Sequence, residues 1–158
     1  MAQADLRAYL ALLDGLRQEL RRLTQVEQDK VAAVHSHDLN ALNECMKREQ
    51  AAALALRGRE QQRDAMLKAL GLEGVSLREL PQRCPPGFQA EAARTVEALL
   101  RDYAVLNSIQ SPARDLLERE LKAVTGALEK KGVSPELDGQ YQPAGQRPPA
   151  PFRTDFRA

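Results

Sequence analysis

Apolar residues in the opening stretch of the chain recur at a coiled-coil interval. Leu6, Tyr9, Leu13, Leu16, Leu20 and Leu23 step by 3, 4, 3, 4 and 3, the spacing that keeps one seam of a helix turned toward a partner. The register continues through Glu27 and Lys30 to Val34, so the seam turns polar for a turn before it closes. This predicts a helix over residues 4–34, roughly 46 Å long at about 1.5 Å per residue. Leu39, Leu42, Met46, Ala53, Leu56, Leu67 and Leu70 share a second heptad register, with Glu49, Glu60 and Arg63 at its remaining seam positions. A second helix therefore spans residues 38–70. Asp38 is placed to accept its orphan amides, and Gly71 is placed for a left-handed exit. Two helices of matched length around the polar turn His35-Ser36-His37 predict an antiparallel hairpin.

Residues 72–88 form a connector. Ser76-Leu77-Arg78-Glu79 has capping-box spacing, enough for one helical turn, which Pro81 and Cys84-Pro85-Pro86-Gly87 are expected to end. A third helix begins near Gln89 with Ala92, Val96, Leu99, Tyr103 and Leu106 on its apolar face. The stripe resumes past Pro112 as Ala113, Leu117, Leu121, Val124 and Leu128 with its phase nearly intact. Two readings compete: Ser111-Pro112 caps a separate fourth helix, or one long helix is kinked at Pro112. The unbroken stripe favours the kink. Lys130-Lys131-Gly132 supplies a cationic last turn and a stop.

Proline draws the domain map. None of the nine prolines precedes Pro81, and five lie in the last 27 residues. Since proline removes a donor and clashes inside helices, the chain divides into a helical bundle domain, 1–132, and a proline-rich flexible tail, 133–158. That tail holds Tyr141, Phe152 and Phe156, apolar anchors suited to docking on something else. The fold class is thus all-α: an elongated antiparallel hairpin plus a third long helix in a coiled-coil-like bundle, followed by a disordered tail.

Composition narrows the function by exclusion. The 158 residues carry 23 Lys plus Arg against 22 Asp plus Glu, a net charge of +1 without the basic excess of a phosphate-binding surface. No apolar run reaches membrane-spanning length, and the N-terminus has no signal-peptide core, which points to a cytoplasmic protein. Two cysteines, Cys45 and Cys84, make no disulfide framework. His35, His37, Asp38 and Cys45 lack zinc-ligand spacing, and neither histidine follows a glutamate by three residues, as a di-iron bundle requires. Glycine-rich phosphate loops are absent. Nothing in the chain assembles a catalytic set, and no cofactor is expected. What stands out is the aliphatic strip Leu116, Leu117, Leu121, Val124 and Leu128. It is either the core of a third bundle strand or a surface left open for another helix.

Several motifs in order carry a family resemblance. His37-Asp38-Leu39-Asn40-Ala41-Leu42 is similar to a Gly-Asp-Leu-x-x-Leu entry into helix two, with His37 in place of the usual glycine. Leu67-Lys68-Ala69-Leu70-Gly71 ends that helix, and Ser76 to Leu80 reads Ser-Leu-x-x-Leu. The tail offers Tyr141 with Gly145 and a closing Asp155-Phe156-Arg157-Ala158. Together they resemble the FlgN-type flagellar export chaperones of the type III secretion apparatus, over almost the whole chain. The resemblance implies a monomeric cytoplasmic chaperone that holds C-terminal helical segments of the hook–filament junction proteins FlgK and FlgL. It implies delivery to the export gate protein FlhA, with Leu116, Leu117, Leu121, Val124 and Leu128 at the client and Tyr141 at the gate. A structural or regulatory coiled-coil adaptor that self-associates is the alternative.

Overall fold

In the computed structural model, which describes residues 2–132, the first seam becomes the spine of the molecule. Helix α1, Gln3–His35, is uninterrupted, and Leu6, Tyr9, Leu13, Leu16, Leu20 and Leu23 are all buried as their spacing requires. Helix α2 (Leu39–Ala69) runs back antiparallel to α1. Lys30 meets Glu49 near the turn, Arg59 lies over Gly15 midway, and Ala8 and Leu12 share a shallow groove with Ala65 and Met66 at the far end. A short helix α3 (Leu80–Arg83) and a 3-10 turn (Pro86–Phe88) lead into α4, Gln89–Lys130. Helix α4 runs parallel to α1. Arg7 stacks over the Phe88 ring at 5.8 Å, Arg17 and Arg21 reach Asp102 at 3.1 and 3.2 Å, and Val31 and His35 sit beside Ala113 and Leu116. The three long helices go up, down and up, and α1 packs along both others.

Both ends of the hairpin are closed by backbone geometry. Leaving α2, the Leu72 amide donates to the Leu67 carbonyl at 2.9 Å and the Gly71 amide to Lys68 at 3.1 Å, with Gly71 at φ +70°. This is the Schellman arrangement, and Leu72 and Leu67 are both buried beside it. Leaving α1, Asp38 donates to the Ala33 carbonyl at 3.0 Å and His37 to Val34 at 3.2 Å, with His37 at φ 54°. Position 37 thus needs the left-handed backbone that glycine adopts without cost and histidine does not. Asp38 then caps α2, its carboxylate accepting from the Ala41 amide at 3.0 Å.

Two expectations change. Leu39 and Met46 do not line the hairpin seam: Leu39 is 73% exposed and Met46 half exposed. The buried residues of α2 are Leu56 and Leu67, as the register nominated, and Cys45 and Ala52, each one position earlier than Met46 and Ala53. Small side chains at the seam let α2 approach the bulky α1, and the larger Met46 turns outward. Leu39 lies in the first turn of α2, past the end of α1, where nothing covers it. Second, Pro81 opens α3 rather than ending it, in the first turn where its missing amide costs nothing. As the unbroken stripe favoured, α4 passes through Pro112 as one helix, and no separate fourth helix begins there. Pro112 is exposed, which leaves the freed carbonyl one turn earlier open to solvent.

The polar turn of the seam is a buried charge cluster. Lys30 Nζ lies 2.6 Å from Glu49 Oε2 and 3.5 Å from Glu27 Oε2. Burial pushes the Glu27 carboxyl above its ordinary 4.5, Glu49 pushes it further, and Lys30 pulls it back. Because the folded carboxyl holds its proton more tightly than the unfolded one, its contribution to stability is fullest below pH 4.5 and is lost as pH climbs through the raised value.

Two predictions follow from these local features. In urea unfolding, Gly71→Ala should lose roughly 1–2 kcal/mol, while His37→Gly should gain up to about 1 kcal/mol. Urea midpoints followed from below pH 4.5 to neutrality should fall more steeply in the natural protein than in Glu27→Gln. Parallel curves would remove Glu27 as the source.

Candidate functional site

The apolar face of α4 is longer than the partner it packs on. Its buried residues run from Ala92 through Val96, Leu99 and Leu106 to Ala113, the last fully covered position on this helix. Leu117, Leu121, Val124 and Leu128 follow at steps of 4, 4, 3 and 4 from Ala113, so they continue the same face. Helix α1 ends at His35, level with Leu116. Residues 117–130 therefore overhang the hairpin by about 21 Å at 1.5 Å per residue.

Local sequence keeps the overhang helical. Ala, Leu, Glu, Lys and Arg, all good helix formers, dominate residues 113–130. An isolated helix of this length would be marginal, but this one extends a segment already nucleated against α1. Lys131 and Gly132 end it, with Gly132 at φ +74° and its amide donating to the Glu129 carbonyl at 3.1 Å.

The residues singled out from the sequence divide between two places. Leu117, Leu121, Val124 and Leu128 share the overhanging face, where Leu121 is 67% and Val124 54% exposed and the other two are half-buried. Leu116 stands about 100° around the helix. It lines a shallow groove with Val31, His35, Ile109, Pro112 and Ala113 at the foot of the overhang. Tyr141, like the whole of 133–158, lies outside the described residues. Along α4 the face is core up to Ala113, and beyond it Leu117 and Leu128 are half-buried while Leu121 and Val124 are exposed.

Inspection of the sequence missed the groove at the foot, because residues 31, 35 and 109–116 come together only once α1 and α4 are parallel. It also missed the exposed apolar residues Leu54 and Val105, which no periodic pattern marks. Cys45 and Cys84 are buried and free, and burial raises the Cys84 thiol. Among the described residues, no three His, Cys, Asp or Glu side chains gather as a metal site needs, and no helix is long and apolar enough to cross a membrane. What the overhang can do is offer an aliphatic helix face, ready-made and partnerless within the described residues, to another amphipathic helix.

The chain matches the family described as FlgN protein, over residues 1–149. No curated protein and no solved structure matches the chain.

Thermal and urea unfolding should tell the two halves of α4 apart. Leu106→Ala, at a fully buried position, should cost about 2–5 kcal/mol. Leu121→Ala should stay within about 0.5 kcal/mol of the natural protein.

Proposed function

The chain belongs to the FlgN family and is thereby a flagellar export chaperone; from that premise we propose which segment it grips and with what. Its clients are the hook–filament junction proteins FlgK and FlgL, whose C-terminal helical segments dock on the overhang of α4. The protein acts as a cytoplasmic monomer and hands the client to the export gate protein FlhA, with Tyr141 in the tail as the gate contact. The observation that supports this reading is the uncovered aliphatic face at Leu117, Leu121, Val124 and Leu128.

The physics suits a carrier that must release. Complete burial of an aliphatic side chain contributes about 1.5–3 kcal/mol, and here the side chains are only partly exposed to begin with. Association and ordering cost about 4–15 kcal/mol, so a few aliphatics leave a reversible grip rather than a permanent one. A client helix laid on α4 takes the place that α1 would fill if it were longer. While bound, the client's own apolar face is shielded from premature assembly. Release restores only the modest exposure that α4 already tolerates.

Light scattering with and without a FlgK C-terminal peptide tests this. A monomer that forms a one-to-one complex is expected. Leu121→Asp should weaken binding at least tenfold, roughly the loss of one buried aliphatic, while leaving helical circular dichroism unchanged. A tight dimer indifferent to the peptide would overturn the proposal in favour of a self-associating adaptor.

A further inference from the structure

The overhanging face is bounded by charges of one sign. Glu118 follows Leu117 by one residue and stands on one flank of the stripe; Glu120 precedes Leu121 by one and stands on the other. These are the flanking positions that choose partners in paired helices. Both side chains are exposed, and neither takes part in an ion pair among the described residues. Other acids, by contrast, do hold arginines: Asp102 pairs with Arg17 and Arg21, and Asp29 with Arg48.

Cations nearby do not fill the gap. Lys122 and Lys130 lie on the back of the helix, more than a right angle from the stripe, and Arg119 lines the groove at the foot beside Val31, His35 and Leu116. Arg114 comes round to this face a turn earlier, level with the last turn of α1, and Lys131 only at the far end, beyond Leu128. Between them the flanks carry acid next to Leu117 and Leu121, then the small uncharged Thr125 and Ala127 beside Val124 and Leu128.

We infer that the occupant of the overhang is an amphipathic helix with Lys or Arg on both flanks of its apolar seam at the end that meets Leu117 and Leu121, and small neutral flanks at the other. The inference rests on the client-docking reading above and specifies the client's chemistry. Basic flanks gain two charge pairs; acidic flanks meet like charge on both sides, and the far half admits close approach because Thr125 and Ala127 are short. A second copy of this chain answers poorly to that description, since between Arg114 and Lys131 it brings the same two carboxylates.

Two designed helical peptides with one leucine seam test it, one flanked by lysine and the other by glutamate at the end facing residues 117–121. The natural protein should bind the lysine-flanked peptide roughly three- to tenfold more tightly at low salt. That advantage should shrink toward unity by about 0.5 M salt, where screening is short-ranged. The double variant Glu118→Lys with Glu120→Lys, both at exposed positions, should reverse the order. Equal binding of both peptides, abolished by Leu121→Asp, sinks the inference while the docking reading stands. Binding of neither peptide, with or without dimers of the protein alone, sinks both.

Discussion

A helix face stays dry only as far as its neighbour extends, and α1 stops first. The uncovered apolar stretch of α4 follows from that mismatch. Helix α1 supplies the surface on which both α2 and α4 are buried. Since α4 enters level with the first turns of α1 and is 42 residues long against 33, its surplus emerges at the opposite end. The surplus keeps the aliphatic periodicity of the buried part. A helix solvated all round carries polar residues at such positions, whereas here Leu121 and Val124 stand exposed beyond the end of α1.

Polar contacts set how long that overhang is. Hydrophobic seams with a seven-residue repeat tolerate a slip by one repeat, because every leucine finds another leucine's place. Asp102, gripped by Arg17 and Arg21, has no such equivalent along α4. Sliding α4 back by one repeat would cover Leu117 and Leu121 but would carry Asp102 away from both arginines. In the hairpin, the 2.6 Å contact of Lys30 with Glu49 plays the same part, since a slipped α2 would carry Glu49 away from Lys30. These clusters contribute little net stability, and their value lies in excluding the neighbouring registers. The length of uncovered α4 is thus tied to a few charges placed far from it.

Reading the chain residue by residue recovered much of this. The seam of α1 is buried at every leucine that its spacing nominated, and the polar turn at Glu27 and Lys30 is where the register put it. Asp38 caps α2, Gly71 closes it, and α4 starts at Gln89. The error in α2 is instructive. Met46 and Cys45 are adjacent, and a heptad scan prefers the larger apolar residue, whereas the seam against a leucine-rich α1 has room only for the smaller one. For the candidate site, the list of aliphatics was legible, but not its division. Leu116 and Leu117 are neighbours in sequence and face different surroundings, one in the groove beside Val31 and His35 and the other on the open face.

By itself the sequence settled which segments are helical, where they turn and which faces are greasy, because periodicity, capping and proline placement act over a few residues. Whether a greasy face is interior or surface was left to the tertiary arrangement. Leu106 and Leu121 lie on the same stripe of one helix, yet the first is sealed and the second is two-thirds exposed. The difference is made by the offset and relative length of α1, more than eighty positions away in the chain, and burial is a property of that pairing rather than of either residue.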